Sequence, residues 1–304
     1  MIDVRRLRLL FELSRRGTIT AVADALAYTP SAVSQQLAAL EREAGVPLLE
    51  RSGRRVALTP AGAVLARYAE SVFAVLEEAS AALAATRSRL TGPLRIGVFP
   101  SAARTILPPA LVALGSEHPG LELMVTELDP FAVPGALRAG TLDVALTFAY
   151  DYGPAEPDPA LDTEPLLEES IYLAAAGPSG AAESGIGDWR EAAWIAGSPD
   201  TLCHTMIIRA CQACGFTPRI RHYADDFATV LALVAAGQGV SLIPRLGVIK
   251  TPPGVSLTPV AARRRTGIAC RKGTSGHPAV AAFSGAIREQ SRLLGAVDGM
   301  TPVG

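Results

Sequence analysis

Apolar residues recur every three or four positions in three short segments at the start of the chain, a spacing typical of amphipathic helices. The first helix is expected over residues 4–16, with Gly17 suited to the left-handed position beyond its end. Thr20 is predicted to cap a second helix, and Pro30 to open a third whose apolar stripe is Val33, Leu37, Leu40 and Ala44. Together the three segments predict a helix-turn-helix unit.

The opposite face of the third helix carries small or hydrogen-bonding side chains at Ser31, Ser34, Gln35, Ala38 and Arg42. Groups of this kind can approach base edges and phosphates closely, and glutamine can pair bidentately with adenine. We therefore interpret this face as a candidate DNA-reading surface. The alternative is an ordinary solvated helix face.

Residues 48–58 have the pattern of two short strands around a turn at Ser52, Gly53 and Arg54. Arginine side chains cluster at this turn, at Arg51, Arg54 and Arg55. Guanidinium groups in this position are suited to phosphate or minor-groove contacts, although a solvated charge cluster is the alternative for the hairpin alone. Directly after a helix-turn-helix, the hairpin completes a winged form of the motif.

A long helix is predicted to begin at Thr59 and Pro60, an N-cap followed by a first-turn proline, and to run to about Leu90. Its apolar residues alternate at spacings of three and four and form a narrow seam of Leu65, Tyr68, Val72, Val75, Ala79 and Leu83. Such a seam favours pairing with the same helix of a second copy. Packing against its own domain is the alternative.

Beyond Gly92 and Pro93 the pattern changes to alternating strands and helices. Buried strands are expected at 94–99, 121–128 and 143–150, with helices between them at 103–114 and 133–139. A second series of strands follows at 170–177, 193–197, 219–224 and 240–245, and a strand at 265–270 with a helix at 278–293 returns to the first half. Two α/β halves joined by crossings near 163–168 and 262–267 predict a two-lobed domain with a ligand cleft.

Ligands of such sheets bind beyond strand carboxyl ends and at helix N-termini, where free backbone amides favour an anion. The cleft candidates at these positions are Ser101, Ala102, Thr147, Tyr150, Thr201 and the acidic pair Asp225 and Asp226. Helix capping and packing are the alternative roles. The expected ligand is thus a small molecule with an anionic group.

The formal net charge of −1 is unevenly distributed. Residues 1–90 contain 12 Lys and Arg against 9 Asp and Glu, and the remainder contains 16 against 20. This modest basic excess indicates that DNA binding would depend on the placement of a few arginines and on dimerisation. No run of 18 apolar residues occurs and the first residues are charged, so we expect a cytoplasmic protein without a membrane partner.

The run AVADALAYTPSAVSQQLAALEREAGVPLLERSGRRVALTPAG, within residues 17–62, resembles the amino-terminal domain of LysR-type transcriptional regulators. The resemblance implies that Pro30, Ser31, Ser34 and Gln35 lie at the DNA face, that wing arginines reach the DNA backbone or minor groove, and that the long helix dimerises. It also implies a carboxy-terminal domain similar to periplasmic binding proteins. Gln commonly precedes Pro in the family's recognition helix, whereas Ser31 follows Pro30 here, and Gln35 stands where Arg is frequent. The base preference of this recognition helix therefore need not follow the pattern common in the family.

Cysteines and histidines are the remaining candidate chemical sites. Cys211 and Cys214 form a single C-x-x-C without a second pair, which disfavours zinc. The spacing of Cys203 and Cys211 is similar to that of peroxide-sensing members of the family, but no adjoining basic cluster indicates a reactive thiolate. The histidines are scattered, at His118, His204, His222 and His277, and we find no nucleotide-binding loop or nucleophile motif. We therefore expect no metal, no cofactor and no catalysis.

These patterns predict an all-α winged helix-turn-helix domain over 1–59, a linker and dimerisation helix over 60–91, and a two-lobed α/β effector domain over 92–304. The first lobe would comprise about 92–164 and 267–294, and the second about 165–266. The predicted function is a homo-oligomeric, sequence-specific transcriptional regulator whose effector alters promoter binding. The alternatives are a two-lobed α/β enzyme acting on a small anionic metabolite and a thiol-based redox-sensing regulator.

Overall fold

The computed structural model describes residues 1–52, 55–86, 89–152, 158–177, 185–295 and 299–303. It divides into two compact units. One consists of Met1–Leu83 with Lys272–Thr274, and the other of Ala84–Arg271 with Ser275–Gly304. Among the described residues, no helix combines the length and apolarity needed to cross a membrane.

Three helices form the start of the first unit: α1 (Val4–Arg16), α2 (Ile19–Leu26) and α3 (Pro30–Ala44). Gly17 ends α1 in the left-handed conformation, and the next residue, Thr18, has the extended backbone of an N-cap. Thr18 Oγ1 accepts a hydrogen bond from the Ala21 amide at 3.2 Å. The prediction of Thr20 as the cap is therefore wrong by two residues, because α2 begins immediately after the turn.

The predicted apolar stripes meet in the core of this unit. Side chains that are at most 1% exposed come from all three helices: Leu10, Val22, Val33, Leu37 and Leu40. Burying them removes apolar surface from water and fixes the polar face of α3 on the outside.

The hairpin consists of β1 (Leu49–Ser52) and β2 (Arg55–Leu58), paired antiparallel. It is fastened to α3 by Glu41, whose Oε1 accepts the amides of Leu48 at 2.9 Å and Leu49 at 3.0 Å. Gly53 and Arg54, at the predicted tip, lie outside the described residues, as do the side chains of Arg51 and Arg55.

The long helix α4 spans Pro60–Ala85, so it ends five residues before the expected Leu90. Thr59 caps it, accepting the Gly62 amide at 3.0 Å. Phe73 meets Phe11 of α1 edge to face, with ring centroids 5.7 Å apart. Most of the predicted seam is exposed, including Tyr68 at 67%, Val75 at 61% and Leu83 at 70%.

The second unit contains two α/β lobes. The first lobe has the strands β3 (Gly92–Val98), β4 (Leu121–Glu127) and β5 (Val144–Tyr150), with β3 parallel to both neighbours, and the helices α5 (Pro100–Arg104), α6 (Leu107–Glu117) and α7 (Val133–Ala139). The second lobe has β7 (Ala193–Ala196), β8 (Arg219–Tyr223) and β9 (Ser241–Pro244), with α8 (Leu202–Ala213) and α9 (Phe227–Ala235).

Two long antiparallel strands, β6 (Leu161–Ala176) and β10 (Val255–Arg271), pass from one lobe to the other. The sheet order is β11-β6-β10-β5-β3-β4, with β9 also paired to β6; α10 (Pro278–Leu294) and β11 (Met300–Pro302) complete the chain. The predicted crossings at 163–168 and 262–267 thus lie inside continuous strands rather than in separate connectors. The pairing of β6 with β10 shifts in register after Val260 and after Thr266, as at a β-bulge.

Candidate functional site

The exposed face of α3 presents a short row of polar side chains. Ser34 Oγ donates to the Pro30 carbonyl at 2.9 Å, and the hydroxyls of Thr29 and Ser31 lie 3.1 Å apart. These internal bonds leave hydroxyl acceptor sites available to a partner. Gln35 and Arg42 are exposed, and neither side chain has a hydrogen-bond partner among the described residues.

The next residue, Gln36, has a different role. Its Oε1 accepts Arg6 Nε at 2.8 Å, and Arg6 also pairs with Glu43. Gln36 thereby ties α3 to α1. The two adjacent glutamines therefore differ in purpose, since Gln36 braces the helix and Gln35 remains available for contacts with a partner.

A cavity of about 200 Å³ lies between the two lobes of the second unit. Its apolar lining consists of Phe99, Pro100, Leu128, Pro130, Phe148 and Phe227. Its polar lining consists of Ser101, Glu127, Asp129, Thr201, Cys203, Asp225 and Arg264. Apolar walls with a few converging polar groups are typical of small-molecule binding sites.

Among the described residues, Arg264 on β10 is the only basic side chain of this lining, and it is fully buried beside its cross-strand partner Glu169 on β6. Arg264 Nε and Nη2 each lie 2.6 Å from Glu169 Oε1. Burial would lower the pKa of Arg264, but the carboxylate of Glu169 raises it above its ordinary value. Arg264 is therefore charged, and its charge is balanced within the strand pair.

Arg264 is also held by the first lobe and by two aromatic rings. Its Nη2 donates to Ser101 Oγ of α5 at 3.0 Å. The rings of Phe99 and Phe148 lie 4.9 and 4.8 Å from the guanidinium carbon, at distances typical of cation–π contacts. Among the described residues its Nη1 is buried without a hydrogen-bond partner.

Three carboxylates face the same cavity. Asp225 accepts the Ser198 amide at 2.7 Å and the Ser198 hydroxyl at 2.6 Å. Burial raises the pKa of Asp129 above its ordinary value, although hydrogen bonds from the backbone amides of Phe131 and Leu202 lower it. The charge of Asp225 raises this pKa further. Glu127 is exposed at the mouth. The lining as a whole is acidic.

Several of the backbone amides expected to hold an anion already donate to other groups. Beside Ser101, the amides of Ala102 and Ala103 both donate to the Phe99 carbonyl, at 3.1 and 3.0 Å. At the start of α8, Thr201 Oγ1 accepts the His204 amide at 3.2 Å. The nearby amides of Ser198 and Leu202 are bonded to carboxylates. A purely anionic ligand would face three acidic side chains, although Arg264 Nη1 is a donor without a partner among the described residues.

The predicted cleft residues divide into two groups. Ser101, Thr201 and Asp225 line the cavity. Ala102 is fully buried in the core, and Tyr150 is buried with its hydroxyl 3.3 Å from Cys203 Sγ. Thr147 pairs with Gly267 in the sheet, and Phe148 lines the cavity in its place because successive strand residues face opposite sides. Asp226 caps α9 and pairs with Arg104 at 2.5 Å, so its neighbour Asp225 is the one in the lining.

Comparison with known proteins agrees with this architecture. A family model described as "Bacterial regulatory helix-turn-helix protein, lysR family" matches residues 4–63, and one described as "LysR substrate binding domain" matches residues 87–292. The chain belongs to the LysR family. It is a LysR-type transcriptional regulator with a helix-turn-helix domain and an effector-binding domain, as the sequence predicted.

Individual relatives of this LysR regulator are named for different roles. A probable hydrogen peroxide-inducible genes activator of Mycobacterium avium is 32% identical over 275 residues, covering 86% of this chain and 81% of that protein. The transcriptional dual regulator GltC of Bacillus subtilis is 28% identical over 256 residues, covering 83% and 84%. The solved structure of a hydrogen peroxide-bound mutant of Corynebacterium glutamicum OxyR is 28% identical with a TM-score of 0.59, covering 99% and 97%.

Sequence reasoning did not find Arg264, Glu169 or Asp129. Arg263, Arg264 and Arg265 form a run that looks like a solvated charge cluster, and only strand alternation places the middle one inward. That alternation is the signal that was available, because it makes Arg264 the buried residue between exposed Arg263 and Arg265, and a buried arginine requires a partner. The partner of Arg264 lies 95 residues away, a distance that sequence spacing cannot connect.

The ion pair can be tested by comparing neighbouring glutamates of β6. Glu169→Gln leaves the charge of Arg264 unbalanced in the interior, so we expect the second unit to lose about 3 to 5 kcal/mol of unfolding free energy. Glu168→Gln removes a partner of Arg265, which is 57% exposed, and should cost at most about 1 kcal/mol. Urea unfolding followed by tryptophan fluorescence measures both, because Trp189 and Trp194 are the only tryptophans and both lie in this unit. Equal losses in the two variants would contradict this role for Glu169.

Proposed function

We propose that this regulator reads promoter DNA through the exposed face of α3, with Gln35 as the principal base contact. The observation that carries the proposal is the contrast at positions 35 and 36. Gln36 is bonded to Arg6, whereas Gln35 projects from the same helix without a hydrogen bond among the described residues. A free amide on a rigid helix can form the two hydrogen bonds that distinguish adenine in the major groove.

The remaining predicted DNA contacts complete this surface in the proposal. Pro30, Ser31 and Ser34 lie in the first two turns of α3, and Thr20 and Arg42 are exposed on α2 and α3. Arg51, Arg54 and Arg55 of the hairpin would contact phosphates or the minor groove. Contacts with phosphates position the protein, and Gln35 would supply sequence discrimination.

For assembly we propose that the seam of α4 pairs with the same seam of a second copy. Of the six predicted seam residues, four large ones are 39% to 70% exposed: Tyr68, Val72, Val75 and Leu83. Ala79 is also exposed, and Leu65 is partly buried. Large apolar side chains in a continuous helical stripe are stabilised by burial against a partner. A dimer would also present two reading helices to a palindromic site.

We further propose that the cavity between the lobes is the effector site and that it binds rather than converts its ligand. The pair of Arg264 and Glu169 joins both lobes at the cavity, and Ser101 and Thr201 come from opposite lobes. A ligand that contacts both walls has different affinities for different lobe arrangements, which is the requirement for a regulatory response. The family relationship favours this interpretation over the enzyme alternative.

Thiol-based sensing is the second candidate, because several relatives carry the name of hydrogen peroxide-inducible activators. Cys203 and Cys211 lie eight residues apart on α8, which separates them by about 12 Å along the axis of a regular helix. A disulfide would require unwinding of α8. Burial raises the pKa of Cys203, and burial together with Cys214 raises that of Cys211 to about 12, so both are protonated at neutral pH. We therefore rank the effector site first.

DNA reading is tested with fragments selected for binding from a random pool. Gln35→Ala should lower affinity for the selected sequence by about 1 to 3 kcal/mol and relax the preference at one base pair, with little change in nonspecific binding. Gln36→Ala is the matched control and should keep the sequence preference. If Gln35→Ala selects the same sequence with the same affinity, Gln35 does not read the base.

Assembly is tested by placing a charge in the seam. Val72→Asp would bury an uncompensated carboxylate in the helix pair, and should raise the dimer dissociation constant by at least about tenfold. Ser80→Asp places the same charge about a quarter of a turn away from the seam and should leave assembly unchanged. Light scattering over a dilution series measures both, and an unchanged mass for Val72→Asp rules out this seam as the main contact.

Thiol reactivity is tested by alkylation with iodoacetamide at pH 8, followed by peptide-resolved mass spectrometry. The thiolate is the reactive form, so the raised pKa values predict slow modification of Cys203 and Cys211, while exposed Cys214 reacts first. The urea-unfolded chain, in which the thiols are equally accessible, is the control. Preferential modification of Cys203 in the folded protein would instead favour the redox candidate.

A further inference from the structure

The chemistry of the cavity narrows the class of effector, provided that the proposed effector site is correct. Within the described lining, Glu127, Asp129 and Asp225 are acidic, and the single basic residue, Arg264, is already balanced by Glu169. A ligand that brought only negative charge would face repulsion from three carboxylates. A ligand with a positive group would compensate the excess.

The two aspartates occupy opposite walls. Asp129 follows β4 in the first lobe, and Asp225 follows β8 in the second. Both line the same cavity, and after burial the charge of Asp225 further raises the pKa of Asp129. Each carboxylate has further acceptor capacity beyond the amide and hydroxyl donors that it already binds, because an ionised carboxylate offers about four lone-pair sites.

A second, independent feature indicates that the ligand carries a hydrogen-bond acceptor. Arg264 lines the cavity, is completely buried, and keeps Nη1 without a hydrogen-bond partner among the described residues. An unpaired buried guanidinium N–H costs free energy, which a ligand oxygen would recover. Its two neighbouring nitrogens hold Glu169 and Ser101, so the guanidinium plane is fixed before a ligand arrives.

We propose that the effector is a small zwitterion whose ammonium group lies between Asp129 and Asp225 and whose carboxylate oxygen accepts from Arg264 Nη1. The volume of about 200 Å³ accommodates roughly seven non-hydrogen atoms at the ~30 Å³ that one water occupies in the liquid. A compact α-amino acid has this size and charge pattern. Phe99, Phe148 and Phe227 would surround its carbon atoms.

The same arrangement supplies a mechanism for signalling. Without a cation, the like charges of Asp129 and Asp225 oppose the approach of the two walls. An ammonium group between them replaces one repulsion with two attractions and favours the closer arrangement of the lobes. The described part of the chain offers no cluster of three or more His, Cys, Asp or Glu side chains suited to a metal ion, so an organic cation is the better occupant.

The first experiment measures ligand-induced changes in melting temperature and calorimetric binding for glycine and the L-isomers of alanine, serine, threonine and valine. At least one should stabilise the protein in proportion to its saturation. L-Valine is then compared with isobutylamine, which lacks the carboxylate, and 3-methylbutanoate, which lacks the ammonium group; if another amino acid binds best, its own two single-charge analogues are used. Each analogue should bind at least about tenfold more weakly than its parent.

Variants locate the binding. Asp129→Asn and Asp225→Asn keep side-chain size and an acceptor oxygen but remove the charge, and each should weaken amino-acid binding by at least about tenfold. Glu122→Gln removes an exposed carboxylate of β4 outside the cavity and should change nothing. Binding unaffected by both aspartate variants, or no binding by any member of the panel, would overturn the proposal.

A further measurement distinguishes an error in the proposed ligand class from an error in the proposed regulatory role of the cavity. DNA binding to the selected fragment is measured with each compound and with hydrogen peroxide. If 3-methylbutanoate or peroxide changes DNA affinity and no amino acid does, the regulator is ligand-responsive and the zwitterion class is wrong. If an amino acid binds with the expected variant pattern but leaves DNA affinity unchanged, the class is right and the coupling to DNA is wrong.

Discussion

The buried pair of Glu169 and Arg264 is the constraint on which the second unit depends. Both residues lie on the strands that connect the lobes, opposite each other in register. Glu169 Oε2 accepts the Leu246 amide of the second lobe at 2.6 Å, and Arg264 donates to Ser101 of the first. Burying such an ion pair costs free energy, and removing one partner from the buried pair costs more. The pair therefore fixes which parts of the two lobes meet at the cavity.

This constraint also decides the electrostatics of the site. An arginine in a cleft ordinarily indicates an anion site, but Glu169 balances this one and two phenylalanine rings cover it. Among the described residues, Nη1 of this guanidinium group has no hydrogen-bond partner, and the uncompensated charge of the lining comes from Glu127, Asp129 and Asp225. The relatives carry names for different roles, from peroxide-inducible activator to the dual regulator GltC, as expected where one fold hosts many functions.

In the first unit too, some side chains hold the elements in place while others stay exposed for a partner. Glu41 holds the hairpin, Gln36 holds α1, and the burial of Val33 and Leu37 fixes the rotation of α3. Because these contacts fix the helix, the exposed Gln35 points from a rigid support. Exposed and unbonded groups on a rigid element are those that a binding partner can use at small entropic cost.

Local signals in the chain were enough to predict the elements that depend on nearby residues. Periodicity and capping predicted α1, α3 and the start of α4, and the run within residues 17–62 was specific enough to indicate the family that the comparisons show. The predicted cap of α2 was wrong by two residues, because Thr18 rather than Thr20 caps the helix. Thr147 was predicted to line the cavity where Phe148 does, and of the predicted pair Asp225 and Asp226 the lining contains Asp225. The cavity chemistry, by contrast, follows from tertiary contacts alone. Arg264 lies 95 residues from Glu169 and 163 residues from Ser101, and strand register across the fold brings the three together, which no local pattern encodes.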